Sequence, residues 1–246
     1  MPKFFSENIK DDKIIIDSED VMHIKKVLRL KIGDTITVCD GKGFDYTATI
    51  SEIRDKEIEC SVTSKTPAET EPDLKVTLYQ GLPKASKMDY IIQKNTELGI
   101  SGIVPTVLNR CVVKLEGKKA EDKKTERWQK ISAEAAKQSG RGIIPHVETP
   151  RSLDDVIEMM KAEDVCFVLY ECENDKSLKK ILTANRDAKS LGFLIGPEGG
   201  FDPAEIEKIH AAGIQSVGLG KRILRTETAG EAVLSMVMYE IGDIND

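Results

Sequence analysis

Potential chemistry is concentrated in two glycine-rich turns near the C-terminus. They are Leu194-Ile195-Gly196-Pro197-Glu198-Gly199-Gly200-Phe201 and Leu219-Gly220-Lys221-Arg222-Ile223-Leu224-Arg225-Thr226-Glu227-Thr228-Ala229. The first leaves backbone N–H and C=O groups uncovered by side chains, free to hydrogen-bond a planar base edge or a ribose. A tight turn would account for Gly199 and Gly200 through positive φ, but not for Glu198 between proline and glycine. In the second, Thr226 is a candidate helix cap and Glu227 suits the positive end of a helix, which leaves Arg222 and Arg225 without a packing role. Ile195, Leu219, Ile223 and Leu224 could wall an apolar slot for an adenine ring, although core packing would explain them equally well.

Each turn follows a short apolar run that reads as a buried strand, Leu191–Ile195 and Ile214–Leu219, and each feeds a helix. Two such turns place a ligand site at the C-terminal ends of parallel strands. Asp202, Pro203 and Glu205 give the helix after the first turn a cap, a first-position proline and a capping-box partner, and Gly213 ends it. The last helix runs from about 226 to 239. Upstream, Val76–Gln80, Ile103–Val107 and Val165–Tyr170 read as strands. Lys87–Leu98 reads as a helix closed by Gly99, and Thr125–Ser139 as a helix followed by Gly140. This alternation predicts an α/β fold with a parallel sheet covered on both faces.

Residues 1 to about 70 read differently. Ile14–Ile16, Thr35–Cys39, Tyr46–Ile50 and Ile58–Thr63 are β-branched runs at hairpin spacing, with Asp40-Gly41-Lys42-Gly43 as a tight turn. One helix beginning at Ser18-Glu19-Asp20 interrupts them, with Val21, Ile24, Lys25 and Leu28 on one face. A small barrel-like module follows from this pattern. Thr66-Pro67-Ala68-Glu69-Thr70-Glu71-Pro72-Asp73 reads as a linker, which divides the chain into domains 1–70 and 71–246.

Composition narrows the function. At 246 residues, 40% hydrophobic and 32% charged, the chain has the makeup of a soluble protein with a substantial core. No run approaches the roughly 18 apolar residues of a membrane span, and the N-terminus has no signal-peptide stretch. Five scattered cysteines without a C-x-x-C pair are expected to be reduced thiols in a cytoplasmic protein. Three separated histidines offer no metal cluster. No G-x-G-x-x-G, true P-loop or G-x-S-x-G is present, so dehydrogenase, NTPase and hydrolase readings lose their support. A formal net charge of −6 argues against a nucleic-acid partner, yet His23 to Lys31 carries Lys25, Lys26, Arg29 and Lys31 with no acid. Lys221, Arg222 and Arg225 form a second basic cluster. The segment from Lys114 to Arg141 holds nine cations against five acids.

With these residues in hand, the chain resembles the RsmE family, the 16S rRNA uridine-1498 N3-methyltransferases of the SPOUT superfamily. Both turns match the family's signatures. Val27-Leu28-Arg29-Leu30-Lys31-Ile32-Gly33-Asp34 fits its N-terminal PUA-like module. Glu97-Leu98-Gly99, Arg127-Trp128 and Glu134-Ala135-Ala136-Lys137-Gln138-Ser139-Gly140-Arg141 fit the middle. Gly230 stands where a more ordinary helix former is expected.

The resemblance implies a SPOUT-type parallel sheet with a C-terminal trefoil knot, a PUA-like β-barrel in front of it, and a homodimer. It implies S-adenosylmethionine as methyl donor, with no metal, and 16S rRNA of the small ribosomal subunit as partner. Cofactor contacts carry over to Gly196, Pro197, Glu198, Gly199, Leu219, Gly220, Ile223 and Leu224, and to Leu169 and Ile195. Nitrogen 3 of uridine is protonated and a poor nucleophile, so the reaction calls for a base and for cations at the ring carbonyl oxygens. Arg225 and Arg222 are the candidate cations, and Glu227 or Glu198 the candidate base. Arg29, Lys25, Lys26 and Lys31 are the candidate phosphate contacts. Two rival readings stand beside this one: a non-catalytic RNA-binding or assembly protein, and, within the resemblance, a SPOUT methyltransferase acting on tRNA or another rRNA position.

Overall fold

Alternating β-branched residues build the first unit. The computed structural model describes residues 3–17, 20–113, 117–173 and 175–244. In it β1 (Lys3–Phe5), β2 (Ile9–Lys10), β3 (Lys13–Ile16), β4 (Thr35–Cys39), β5 (Phe44–Ile53) and β6 (Ile58–Pro67) form one sheet in the order β1-β4-β5-β6-β3-β2. Its pairs are antiparallel except β1 with β4. Every second side chain of β3, β4 and β5 turns inward, as a half-buried sheet requires. Phe4, Ile14, Ile36, Val38, Ala48, Ile50 and Ile58 fill the core. Ser6, just after β1, links the β1-β4 side of the order to the β3-β2 side: its amide bonds Cys39 O of β4 and its hydroxyl donates to Ile15 O of β3. The sheet thus curls back on itself. The expected tight turn is present, with Gly41 and Gly43 at φ 70° and 102° and Asp40 Oδ1 accepting from the amides of Lys42 and Phe44.

Two expectations for this unit need correction. The predicted helix is α1 (Asp20–Met22) running into a π-helical turn over His23–Leu28; Ser18 and Glu19 lie outside the described residues. The wider π turn rotates side chains away from the α spacing, so Val21 and Ile24 are buried while Leu28 is exposed. The supposed linker is structured. Strand β6 runs on to Pro67, and Glu71 is an anchor. The unit comprises Met1–Glu71 together with Ala136–Ile144. Glu71 bonds the Arg141 guanidinium at 2.6 Å and the amides of Gly142 and Ile143, with Arg141 and Glu71 side chains 4% and 10% exposed. Arg141 is therefore a core residue, not part of a solvated basic face. Lys114 lies outside the described residues.

The second unit, Pro72–Ala135 with Pro145–Asp246, alternates strand and helix. Its elements are β7 (Lys75–Gly81), α2 (Lys87–Glu97), β8 (Gly102–Val107), α3 (Lys118–Gln138), β9 (His146–Val147), β10 (Arg151–Ser152), α4 (Leu153–Met160), β11 (Val165–Leu169), α5 (Leu178–Ala184), β12 (Ser190–Ile195), α6 (Pro203–Ala211), β13 (Gln215–Val217) and α7 (Thr226–Ile241). All strand pairs are parallel, in the order β10-β8-β7-β12-β11-β13, with β9 beside β8. Neighbouring residues on the central strands enter opposite cores. Leu78, Phe167 and Phe193 pack with α2 and α7, while Tyr79, Val168 and Leu194 pack with α4 and α6. This is the continuous apolar strand of a sheet covered on both faces. Sequence periodicity missed α4 and α5, and α3 begins two turns before Thr125.

Candidate active site

The first turn leaves β12 at Ile195 and enters α6, whose cap is the one expected. Asp202 accepts from the Ala204 amide, Glu205 reaches back to the Asp202 amide, and Pro203 opens the helix. Gly200 has φ +67°, but Gly199 is not among the positive-φ residues. Glycine at 199 serves close approach instead: a Cβ there would stand 3.1 Å from Arg110 Cβ, and its carbonyl accepts from Arg110 Nη1 at 3.1 Å. Gly81 of β7 is required in the same way, because a Cβ would lie 2.7 Å from Pro197. Glu198, which the turn alone could not explain, accepts from the Lys84 amide at 3.1 Å and pairs with Lys87 Nζ at 3.1 Å.

The second turn begins where β13 ends. Gly218 packs so tightly against the Glu173 carbonyl that no Cβ fits, and Gly220 has φ +89°. The expected cap is corrected here. Arg225 is the residue before α7, and Thr226 is its first helical residue. The Thr226 hydroxyl is committed elsewhere, donating to Gly196 O at 2.7 Å and accepting from Gln80 Nε2 at 2.9 Å. One buried hydroxyl thus joins both turns to β7. A Cβ at Gly230 would stand 3.6 Å from Leu78 and 3.7 Å from Asn95, ordinary packing distances, so nothing in the structure requires glycine there. Glu227, in the first turn of α7, pairs with Lys87 Nζ at 3.0 Å.

Both turns line one cavity of about 630 Å³, well within the size of a small-molecule site. Of the residues singled out, Leu169, Ile195, Gly196, Pro197 and Glu198 line it from the first side. Leu219, Gly220, Arg222, Ile223, Leu224 and Arg225 line it from the second. Gly199 and Glu227 do not line it; they stand behind it against Arg110 and Lys87. Ile195 belongs to the buried core, with Leu219 and Leu224 packed on its edge, whereas Ile223 is 85% exposed, so core packing does not explain it. Sequence reasoning missed Lys87, Glu171 and Thr226 as wall residues. Lys87 carries no local signal, because it reaches the turns only through the sheet.

Charge is arranged asymmetrically. Arg222 and Arg225 are exposed, and among the described residues neither has a carboxylate in ion-pair range. Burial pushes the Glu227 carboxyl up, but its own backbone amide and Lys87 outweigh this and hold it below the ordinary range. Burial likewise raises Glu198, and its own amide, Lys87 and the Lys84 amide more than offset it. Lys87 is raised by Glu227 and Glu198. The walls suit S-adenosylmethionine: bare backbone at Gly196, Gly218 and Gly220, apolar sides at Leu169, Leu219 and Leu224, and paired carboxylates behind a site for a cation.

In the first unit, Lys26, Arg29 and Lys31 are exposed. Lys25 is half-buried and donates to Arg54 O at 3.1 Å. Arg29 closes the π turn at φ 55°, its amide bonding Ile24 O. Met22, Val27 and Ile32 are exposed among these cations.

Comparison with known proteins agrees with this layout. The family described as an RNA methyltransferase domain matches residues 70–238, and that described as an RNA methyltransferase PUA domain matches residues 16–63. A Bacillus subtilis protein named ribosomal RNA small subunit methyltransferase E is 39% identical, over 92% of this chain and 89% of its own. The Aquifex aeolicus protein of the same name is 32% identical over 97% and 99%. The Neisseria gonorrhoeae enzyme of that name, solved bound to S-adenosyl methionine, superposes with a TM-score of 0.87 at 30% identity and covers 100% of both chains. A Legionella pneumophila methyltransferase solved with the same cofactor gives 0.87 at 29% identity over 99% of each chain. With its parallel sheet, its PUA-like unit and this cavity, the chain belongs to the ribosomal RNA small subunit methyltransferase E family.

Proposed function

We propose that this enzyme methylates N3 of uridine 1498 in 16S rRNA of the small subunit, acting in the cytoplasm as a homodimer with its C-terminal turns tied in a trefoil knot. The observation that carries the catalytic part is the meeting of both turns around one cavity whose two arginines have no carboxylate partner among the described residues. Two further observations favour the finer parts of the reading. The exposed Met236 and Tyr239 on the C-terminal half of α7 offer apolar surface for a second copy, and among the described residues no helix is long and apolar enough to cross a membrane.

Bound in the cavity, S-adenosylmethionine supplies an electrophilic methyl group. The residues proposed to hold it are Gly196, Pro197, Glu198, Leu219, Gly220, Ile223 and Leu224, with Leu169 and Ile195 at the strand ends and Gly199 supporting the first turn from behind. Arg225 and Arg222 stabilise negative charge on the uracil carbonyl oxygens and so acidify the N3 proton. Glu227 or Glu198 is the candidate acceptor of that proton: Glu198 lines the cavity but is engaged by the Lys84 amide, and Glu227 stands behind the wall on Lys87. As the N3–methyl bond forms, the sulfonium–methyl bond breaks and the proton leaves. Nitrogen 3 lies on the Watson–Crick edge, so the base must be unpaired or flipped outward first.

The decisive experiment maps base methylation in 16S rRNA from a strain lacking the gene. Loss of a single N3-methyluridine, restored by the wild-type gene, supports the reading; a missing methyl group in tRNA or elsewhere in rRNA overturns it. The first unit is proposed to supply RNA affinity through Arg29, Lys25, Lys26 and Lys31. Arg29→Ala is therefore expected to weaken rRNA binding and reduce the log–log salt slope by about 0.7–0.9. Calorimetric affinity for S-adenosylmethionine stays at its wild-type value. An unaltered salt slope removes Arg29 from the phosphate contacts.

A further inference from the structure

We propose that Lys87 is a positioning residue for methyl transfer, a single ammonium that ties the two turns together and keeps both of their carboxylates ionised. This rests on the methyltransferase reading above. Lys87 stands at the start of α2, a segment neither turn belongs to, and its Nζ lies 3.1 Å from Glu198 Oε1 and 3.0 Å from Glu227 Oε2. The three side chains are 31%, 24% and 19% exposed, so water screens the trio only partly. Among the described residues, Lys87 is the one cation within ion-pair range of either carboxylate.

Two carboxylates drawn into one half-buried site repel each other, and without a cation one of them takes up a proton well above its ordinary pKa. Burial already pushes both upward here, and Lys87 is part of what reverses it. Each carboxylate is also held down by its own backbone amide, ahead of Lys87 in effect, but an amide brings no compensating charge. The Lys84 amide bonds Glu198, and Arg225 acts on Glu227 only from beyond contact distance. Tyr90 of α2 and Glu231 of α7 bond each other, and Cys111 lies in the field of Glu198. Glu171, Lys221 and Arg222 line the cavity. With Lys87 in place the trio carries one net negative charge, suited to a cavity that receives a sulfonium cation. Protonation of either carboxylate removes that charge, together with the grip on the turns.

The test is a carbon-13 NMR titration of glutamate carboxyls in the full chain without ligand, with Glu198→Gln and Glu227→Gln assigning the two signals. In wild type both titrate below the ordinary glutamate range. In Lys87→Met, and independently in Lys87→Gln, at least one rises by about one pH unit or more. The acid limb of the methylation rate moves up with it, so activity lost at the acid end is recovered at the alkaline end. Lys87→Arg keeps the wild-type titration. Unmoved carboxyl titrations in the folded variants overturn the inference, as does a pH–rate profile that scales down without shifting. The titration needs neither cofactor nor RNA. Failure of the methyltransferase reading, seen as no calorimetric binding of S-adenosylmethionine by wild type, is therefore a separate result.

Discussion

Arg225→Ala lowers the single-turnover rate of methyl transfer by about 10²–10³-fold, the usual loss when one group stabilising developing charge is removed. The structure makes this variant easy to interpret. Arg225 is exposed, faces the cavity, and its side chain caps nothing at the start of α7. Truncation therefore leaves the fold intact, and the melting temperature and the affinity for S-adenosylmethionine are expected to stay near wild type. The loss falls on the rate constant and not on KM, the pattern of an interaction made in the transition state alone. Arg225→Lys restores part of the rate, because a point charge replaces the fork without its geometry. Turnover of Arg225→Ala within about threefold of wild type would take this side chain out of the chemistry, since that is far below the usual effect of such a group.

Glu71→Ala produces the largest expected loss of stability, about 3–5 kcal/mol, because it removes the carboxylate that pairs with a buried guanidinium. It also deprives the amides of Gly142 and Ile143 of their acceptor. Denaturant unfolding monitored on the first unit measures the effect. The double variant Glu71→Leu, Arg141→Met is expected to recover much of it, since an apolar pair can replace a buried ion pair at little cost. A loss below about 1 kcal/mol in Glu71→Ala would mean that water reaches this pair and screens it as on a surface.

The two predictions differ in how far the sequence announces them. Arg225 is visible because a helix start needs no arginine, and Asp202-Pro203 with Glu205 is visible because capping is local chemistry. The strand cores are visible because β-branched runs have few alternatives. Glu71 reads as linker because proline and charge surround it, and its partner lies 70 residues away. Thr226 reads as a cap because threonine before a helix usually is one, and a tertiary bond to Gly196 takes the hydroxyl instead. Gly199 reads as a positive-φ residue, yet the neighbour that demands glycine is Arg110, from another loop. Helices α4 and α5 are short, and short helices owe their stability to packing more than to propensity. Lys87 is the extreme case, since its meaning depends wholly on what the sheet brings beside it.

The Thr226 hydroxyl has a consequence for how the enzyme is made. Its bond to Gln80 spans 146 residues and its bond to Gly196 spans 30, so this junction closes only when β7, β12 and the start of α7 are all present. Synthesis runs from the N-terminus, and contacts of this separation form late. A nascent or prematurely ended chain that lacks α7 has neither the pinned turns nor the helix that covers one face of the sheet, and so has no finished pocket for a methyl donor. Completion of the last helix is thus the step that arms the enzyme.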